Sequence, residues 1–406
     1  MPEPAPARGR RSWPSSAVVA ARTARRAGRS GLVWGYVFGI GVASTAYSYD
    51  SIYRTRTERL HLARTFGSNH ATTALFGPAP QLQTVAGFTV FKVSLTLVVV
   101  GAVWGLLTAT RVLRGEEDAG RWELVASGTT SRRGAAAQAL VGLGAGFGCL
   151  YAVTAALTVV VGRSSKVRIG VGAGLYFALA LVVGAVMFGA VGALTSQLAP
   201  TRRQAAAYAG WALALSYALR LVGDAGAGLH GLVWASPLGW AEELRPLTDP
   251  QPLALVPIGA FTVGVVWATV ALAGRRDVGA AILPDRDRAP ARVALLGGQR
   301  RLVLRLGRPT YVAWSAAIAV TGLLFGLVAK SAGATISGGS VRRVFAKLGA
   351  PGSGTDAYLG VTFLILAVLV GFVAGGQVGA ARAEEAEGRA AHLLVRPVSR
   401  PAWFGA

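Results

Sequence analysis

Apolar residues in this chain gather in long blocks instead of alternating with polar ones, and such blocks recur eight times. Each is close to the roughly 20 residues that a helix needs to cross the hydrocarbon core of a bilayer. They cover residues 30–49, 85–108, 134–162, 169–198, 205–222, 253–274, 311–329 and 358–380. The pattern predicts an all-α polytopic membrane protein with about eight transmembrane helices. The third and fourth blocks are long enough to tilt or to project beyond the bilayer. Residues 17–29 and 295–308 mix Ala, Val and Leu with Arg22, Arg25, Arg26, Arg29 and with Arg300, Arg301, Arg305, Arg308. Both segments read as interfacial helices, with apolar side chains dipping into the bilayer and Arg reaching anionic headgroups. Residues 17–21 are too short for the apolar region of a cleavable signal, so the first block is expected to act as an uncleaved anchor.

Composition agrees with this pattern: 53% of residues are hydrophobic and 15% charged, and mean hydropathy is +0.48. A soluble chain of this size carries about 25% charged residues. The single cysteine, Cys149, lies inside the third block, which excludes disulfide frameworks and cysteine metal sites. A net charge of +23 would suit nucleic acid, so its placement decides. With the N-terminus inside, the inner segments carry 27 Lys plus Arg and the outer loops 12, Lys92 and Arg220 completing the 41. That asymmetry is the mark of topology, with both termini cytoplasmic. Nucleic acid becomes an unneeded partner, whereas membrane lipid is an obligatory one.

The most specific signal is an internal repeat. Arg114-Gly-Glu116-Glu117-Asp-Ala-Gly120-Arg121 recurs 268 residues later as Arg382-Ala-Glu384-Glu385-Ala-Glu-Gly388-Arg389, and Ser131-Arg132 then falls on Ser399-Arg400. Seven of 19 aligned positions are identical, where background composition gives about one. Each copy follows a span at the cytoplasmic side. The repeat implies a basic N-terminal segment (1–29), a first six-span unit (30–274), an Arg-rich linker (275–309) and the first two spans of a second unit (310–406). A chain ending just after the second copy is expected to be a fragment or a shortened form of a twelve-span protein.

Glu116, Glu117 and Asp118 suit the positive N-terminal end of a helix. Trp122, Leu124 and Val125 then supply apolar surface before Ser131. The expectation is a short amphipathic helix lying across the end of a span pair, able to dock in a groove on a soluble partner. Two copies at equivalent places favour a two-fold partner. The pattern Arg-x-Glu-Glu-x-x-Gly-Arg-x-Glu with a following Ser-Arg resembles the loop between spans two and three of ABC-2 type exporter permeases. The linker around Arg275-Arg276-Asp277 and Leu283-Pro284-Asp285-Arg286, and the outer segment from Ser236 to Pro246, resemble the branch that exports polyketide antibiotics. In that family the inner loop is a coupling helix that contacts a separate ATPase. The resemblance carries this role to Glu116, Glu117, Gly120, Arg121, Glu123, Ser131 and Arg132, and to Glu384, Glu385, Gly388, Arg389, Ser399 and Arg400 in the second copy. There Ala391 faces Glu123 and His392 faces Leu124, so the two sites are not equivalent. The resemblance further implies two soluble ATPase subunits holding ATP and Mg, a small hydrophobic substrate, a bacterial cell membrane, and short re-entrant helices near Pro237, Gly239, Trp240, Glu242 and Glu243 at the exit.

No Gly-x-x-x-x-Gly-Lys-[Ser/Thr] loop occurs in the sequence, so a nucleotide would have to bind another chain. The permease is expected to be no enzyme and to hold no cofactor or metal of its own. The alternative is a secondary, ion-coupled multidrug transporter, which needs ionisable groups inside the bilayer. None of the 18 acidic residues falls within the eight blocks, which weighs against it. Lys92 and Arg220 sit near the outer ends of spans, where long side chains snorkel. Glu242 and Glu243 read as a solvated rim. Gly142, Gly144, Gly146 and Gly148 are spaced for close helix contact in lipid.

Overall fold

The computed structural model describes residues 17–67, 77–78, 80–120, 131–225, 228–276, 280–283, 297–336, 355–386, 388 and 395. These form helices and connecting turns, with no strand among the described residues. The chain divides into two compact units, Met1–Asp285 and Arg286–Ala406.

The first unit contains α1 (Val18–Ile52), α2 (Arg56–Gly67), α3 (Val85–Val112), α4 (Arg114–Asp118), α5 (Arg132–Gly162), α6 (Val171–Leu198), α7 (Arg202–Ala225), α8 (Pro237–Glu243) and α9 (Leu255–Ala273). Short 3-10 turns, His230–Ala235 and Pro252–Ala254, precede α8 and α9. The second unit contains α10 (Gln299–Ile336) and α11 (Thr355–Ala386). Among the described residues, six helices are long and apolar enough to cross a membrane: Val85–Asp118, Arg132–Gly162, Val171–Leu198, Arg202–Asp224, Pro252–Ala273 and Tyr358–Ala386. The chain is therefore an all-α, multi-pass membrane protein. The two remaining apolar blocks, 30–49 and 311–329, lie within α1 and α10, helices of 35 and 38 residues.

The expected interfacial helices are not separate elements. Residues 17–29 continue without a break into the rest of α1, and the basic segment before Tyr311 continues through Pro309 as part of α10. In α1 the continuity follows from packing. Gly28, Gly31, Gly35 and Gly39 line one face of the helix, and a Cβ at Gly31 or Gly35 would collide with the backbone of α5 at Gly146 and Leu150. Two backbones this close gain dispersion contacts along their length, which favours a straight helix. Of the four glycines noted in α5, Gly142 and Gly146 meet Thr23 and Ala27 of α1, while Gly144 and Gly148 meet nothing.

Helix α6 is the centre of the first unit. Its sequence is apolar or small on every side, as a fully surrounded helix requires, and it packs against α3, α5, α7 and α9. Phe177, Leu181, Val182 and Ala185 meet α1, α3 and α5, and Val183, Met187 and Phe188 meet α3, α7, α8 and α9. Outward faces are apolar too, with Trp211 and Leu215 on α7 and Val256, Val263 and Trp267 on α9 exposed. Such faces are liabilities in water and ordinary in acyl chains.

Chain direction sorts the helix ends into two groups. The start of α1, α4, the start of α5, the end of α6, the start of α7 and residues 280–283 meet at one end. The end of α1, α2, the start of α3, the end of α7 and α8 meet at the other. In the second unit α10 and α11 run antiparallel, with Phe325 against Tyr358 and Gly322 beside Leu366.

Candidate functional site

At the first end the repeated motif opens with α4, only five residues long. Its Arg114 is 2% exposed. The guanidinium donates to Asp118 Oδ1 at 3.1 Å, Glu117 Oε2 at 3.3 Å, the Ala280 carbonyl at 3.0 Å and the Pro200 carbonyl. Glu117, 5% exposed, is gripped from its other side by Arg276, with Nη1 at 2.6 Å from Oε1 and Nη2 at 2.7 Å from Oε2. Arg276 also donates to Gln197 Oε1 at 2.9 Å and to the Ala280 carbonyl at 2.7 Å. The backbone N–H groups of Ile282 and Leu283 continue this attachment, donating to Gln197 and Leu198 carbonyls at 3.5 and 3.1 Å. Asp118 Oδ2 accepts from the Arg202 N–H at 2.7 Å, placing a negative charge at the positive start of α7. Glu116 pairs with Arg26 and, at 3.7 Å, with Arg22 of α1.

These contacts give the three acids partners within the chain: Glu116, Glu117 and Asp118 tie α4 to α1, α7 and the segment after α9. The reason is electrostatic: a buried Arg114 demands buried carboxylates, and Glu117 and Asp118 stand one helical turn away at i+3 and i+4. Gly120 ends the element in the left-handed region at φ +69°, its N–H bonded to the Glu117 carbonyl at 2.9 Å. A glycine stop of this kind follows many helices. Ser131 caps α5, its Oγ accepting from the Gly134 N–H at 3.1 Å, and Arg132 donates to the Arg276 carbonyl at 2.8 Å. Arg121 and Glu123, with Trp122, Leu124 and Val125, lie outside the described residues.

In the second copy Glu384 and Glu385 stand in the last turn of α11. Gly388 follows at φ +74°, its N–H bonded to the Glu385 carbonyl at 3.1 Å. Arg389, Ser399 and Arg400 lie outside the described residues.

Beside α4 an apolar-walled groove of about 1050 Å³ runs between α1 and α3. Trp34, Val103, Trp104 and Leu107 line its depth, while Arg26, Arg111 and Arg202 stand at its charged mouth. Trp104 Nε1 donates to Ser30 Oγ at 2.8 Å, fixing the indole across the groove.

At the opposite end, α8 is a short helix starting at Pro237, a residue suited to the first helical position because it has no N–H to satisfy. Ser236 caps it, with Oγ accepting from the Gly239 N–H at 3.2 Å and donating to the Ser216 carbonyl at 2.6 Å. Gly239 sits against the Val233 carbonyl, where a Cβ would collide. Trp240 Nε1 donates to the Trp234 carbonyl at 2.6 Å, and its ring meets Phe261 edge-on at 5.6 Å. A short helix, Pro237–Glu243, therefore covers the segment for which the resemblance implied re-entrant helices.

Two expectations fail here. Arg220 is no interface anchor: its side chain is fully buried and ion-paired with Asp224 Oδ2 at 2.8 Å and with Glu242. Glu242 and Glu243 are no solvated rim either. Glu243, 8% exposed, pairs with Arg245 at 2.8 Å and lies 3.3 Å from His230 Nε2. Helix α7 runs beyond Val222 to include Asp224, so a carboxyl does lie within a helix long and apolar enough to span. The backbone of Gly77, at φ +91°, covers the cluster closely enough that a Cβ there would lie 3.5 Å from both Arg220 and Glu242. Next to Glu242 a cavity of about 330 Å³ is walled by α3, α6 and α8.

Comparison with known proteins follows the same outline. The family model described as "Multidrug efflux system permease Rv1217c, C-terminal domain" matches residues 296–406. The chain is 28% identical over 380 residues, 92% of its own length, to the multidrug efflux system permease protein Rv1217c of Mycobacterium tuberculosis (strain ATCC 25618 / H37Rv). It spans 66% of the length of that relative.

Proposed function

We propose that the chain is a permease subunit of an ATP-driven exporter of the ABC-2 type, carrying hydrophobic or amphipathic, drug-like compounds out of a bacterial cell. The observation that carries this is the α4 joint. Similarity to a multidrug efflux permease along 92% of the chain supplies the class of activity, and the joint supplies a mechanism. A soluble ATPase gripping the segment after Gly120 pulls on α4. Glu116 passes the displacement to α1, Glu117 to the segment after α9, and Asp118 to the start of α7. Rigid tethering of one short element to three helices is what converts a local push into a helix-packing change.

In this reading the α4 end is cytoplasmic, as the Arg distribution expects. The repeated motif at Glu384, Glu385 and Gly388 supplies a second attachment, so two ATPases, holding ATP and Mg, engage one permease. Arg121, Glu123, Arg389, Ser399 and Arg400 carry the contact itself, and the acids before each glycine anchor it. The groove between α1 and α3 receives the apolar body of a substrate from the inner leaflet, and α8 lies at the exit. On this reading the chain divides into a first six-span unit (30–274), a linker (275–309) and a second unit (310–406).

The test is reconstitution of the chain with its partner ATPase. Charge reversal at Arg121 and Glu123 should reduce substrate-stimulated ATP hydrolysis at least tenfold while leaving thermal stability unchanged. Transport into inverted vesicles should require ATP and survive collapse of the proton gradient. Undiminished stimulation in the reversed variant, or transport that follows the gradient without ATP, would overturn the proposal in favour of ion coupling.

A further inference from the structure

Among the described residues, the cluster around α8 holds more negative charge than its cations neutralise. Arg220 serves both Asp224 and Glu242, and Arg245 serves Glu243 at 2.8 Å and Asp249 at 4.0 Å. Four carboxyls thus share two guanidiniums, with His230 beside Glu243. The surplus is concentrated where water is scarce. Asp224 is 2% exposed in its side chain, and buried Glu242 Oε1 accepts no hydrogen bond among the described residues. Two carboxyls held against one guanidinium favour a proton shared between them.

The Glu242 carboxyl lines the 330 Å³ cavity on its α8 side with Glu243, Arg245, Thr248 and Asp249, while Val90, Leu95, Val98, Ala180 and Leu238 form an apolar wall broken by Ser94. That volume lies at the lower end of the range for drug-sized ligands, about 300–1,000 Å³. One face offers hydrocarbon contact and the other a carboxyl that shares its one guanidinium with Asp224. A neutral ligand would leave that charge where it is, and an anion would add to it. An organic cation with an apolar body satisfies both faces.

We propose that this cavity binds a lipophilic organic cation, whose charge replaces the proton held between Glu242 and Asp224. The inference rests on the export reading and names its substrate class. One positive charge enters and one proton leaves to solvent, with no covalent bond formed or broken beyond the carboxyl O–H. The groups facing Glu242 are Tyr217, Arg220 and Asp224 on α7, His230 on the 3-10 turn, and Glu243, Arg245 and Asp249 on and after α8. Gly77 presents only backbone, Ser94 is the polar wall residue of α3, and Tyr176 of α6 donates to the Leu244 carbonyl at 2.9 Å.

Burial pushes the Glu242 carboxyl up to about 7, with Arg220 opposing the rise and Asp224 adding to it. The sign follows directly. Below pH 7 the proton occupies the pair and the cation must displace it, so affinity falls about tenfold per pH unit. Above pH 7 the carboxylate is already free of the proton and affinity levels off.

The experiment uses the full chain in lipid nanodiscs, with tetraphenylphosphonium as the probe and empty discs as the blank. Titration calorimetry in buffers of different ionisation enthalpy counts the protons released. About 0.9 proton should leave per cation bound at pH 6 and about 0.1 at pH 8. Glu242→Gln should remove both the release and the pH slope and weaken binding at least tenfold. Tetraphenylborate, of equal size and opposite charge, should bind the unmutated chain at least tenfold more weakly than the phosphonium at pH 8. Equal binding of the two ions, pH-independent phosphonium binding, or no binding at all would overturn the assignment. Cation binding with proton release but without ATP-dependent export would overturn the exporter reading alone, so the two failures are distinguishable.

Discussion

The two copies of the acid-led motif share a backbone and differ in everything around it. Both end a helix with a left-handed glycine, Gly120 at +69° and Gly388 at +74°, three residues after an acid whose carbonyl accepts the glycine N–H. Yet Arg114 is buried and its counterpart Arg382 is exposed; the Glu117 side chain is 5% exposed, whereas Glu385 is an exposed residue. Helix α3 breaks at Leu113 before the first copy, whereas α11 runs unbroken through the acids of the second. The comparison separates two kinds of information. The stop is local, carried by glycine and its spacing. Burial is not local, since the groups that enclose Arg114 and Glu117 come from Pro200, Arg276 and Ala280, more than eighty residues away in sequence.

Breaking the first joint and leaving the second intact sharpens this contrast. The largest effect is expected for Arg114→Ala, which strands Glu117, Asp118 and two carbonyls in a buried setting. Thermal or denaturant unfolding in detergent should show a loss of about 3–5 kcal/mol, against less than about 0.5 kcal/mol for Arg382→Ala. Equal losses would erase the distinction between the copies. Next comes the Glu117–Arg276 pair. Glu117→Gln should cost about 2–3 kcal/mol, and the cycle with Arg276→Gln should recover a coupling of about 1 kcal/mol or more. Additive single losses would remove Arg276 from the joint.

A smaller effect tests what the copies have in common. Gly120→Ala and Gly388→Ala each place a Cβ on a left-handed residue with no described atom within 4 Å of it, so strain alone should cost about 1 kcal/mol in both. Unequal costs would mean that the shared backbone is not the shared determinant. The smallest is Glu116→Gln. Arg26 and Arg22 are largely exposed, so the change should amount to less than about 1 kcal/mol and vanish in high salt.

The helical, membrane-crossing character was legible because lipid imposes one rule on every spanning residue: the backbone must satisfy itself, and the side chains must be apolar over some 20 positions. The repeat was legible for the same reason that the glycine stop is local. The pairing Arg114–Glu117–Asp118 could have been anticipated from its i+3 and i+4 spacing, and Arg220–Asp224 from the same spacing at the end of α7. What misled was treating a charged residue near a span end as solvent-facing by default. Arg220 has apolar neighbours on its own helix, and the carboxyl of Glu242 reaches it across 22 positions of sequence from a different element.

The amino-acid order by itself therefore determined the helices, their membrane-crossing character and the place of each acid-led motif, because these depend on periodicity and single-residue backbone preferences. Only the tertiary structure decided which charges are buried and with whom. An ion pair in a dry interior is set by distances between elements, and neither composition nor spacing within one helix encodes where another helix will stand.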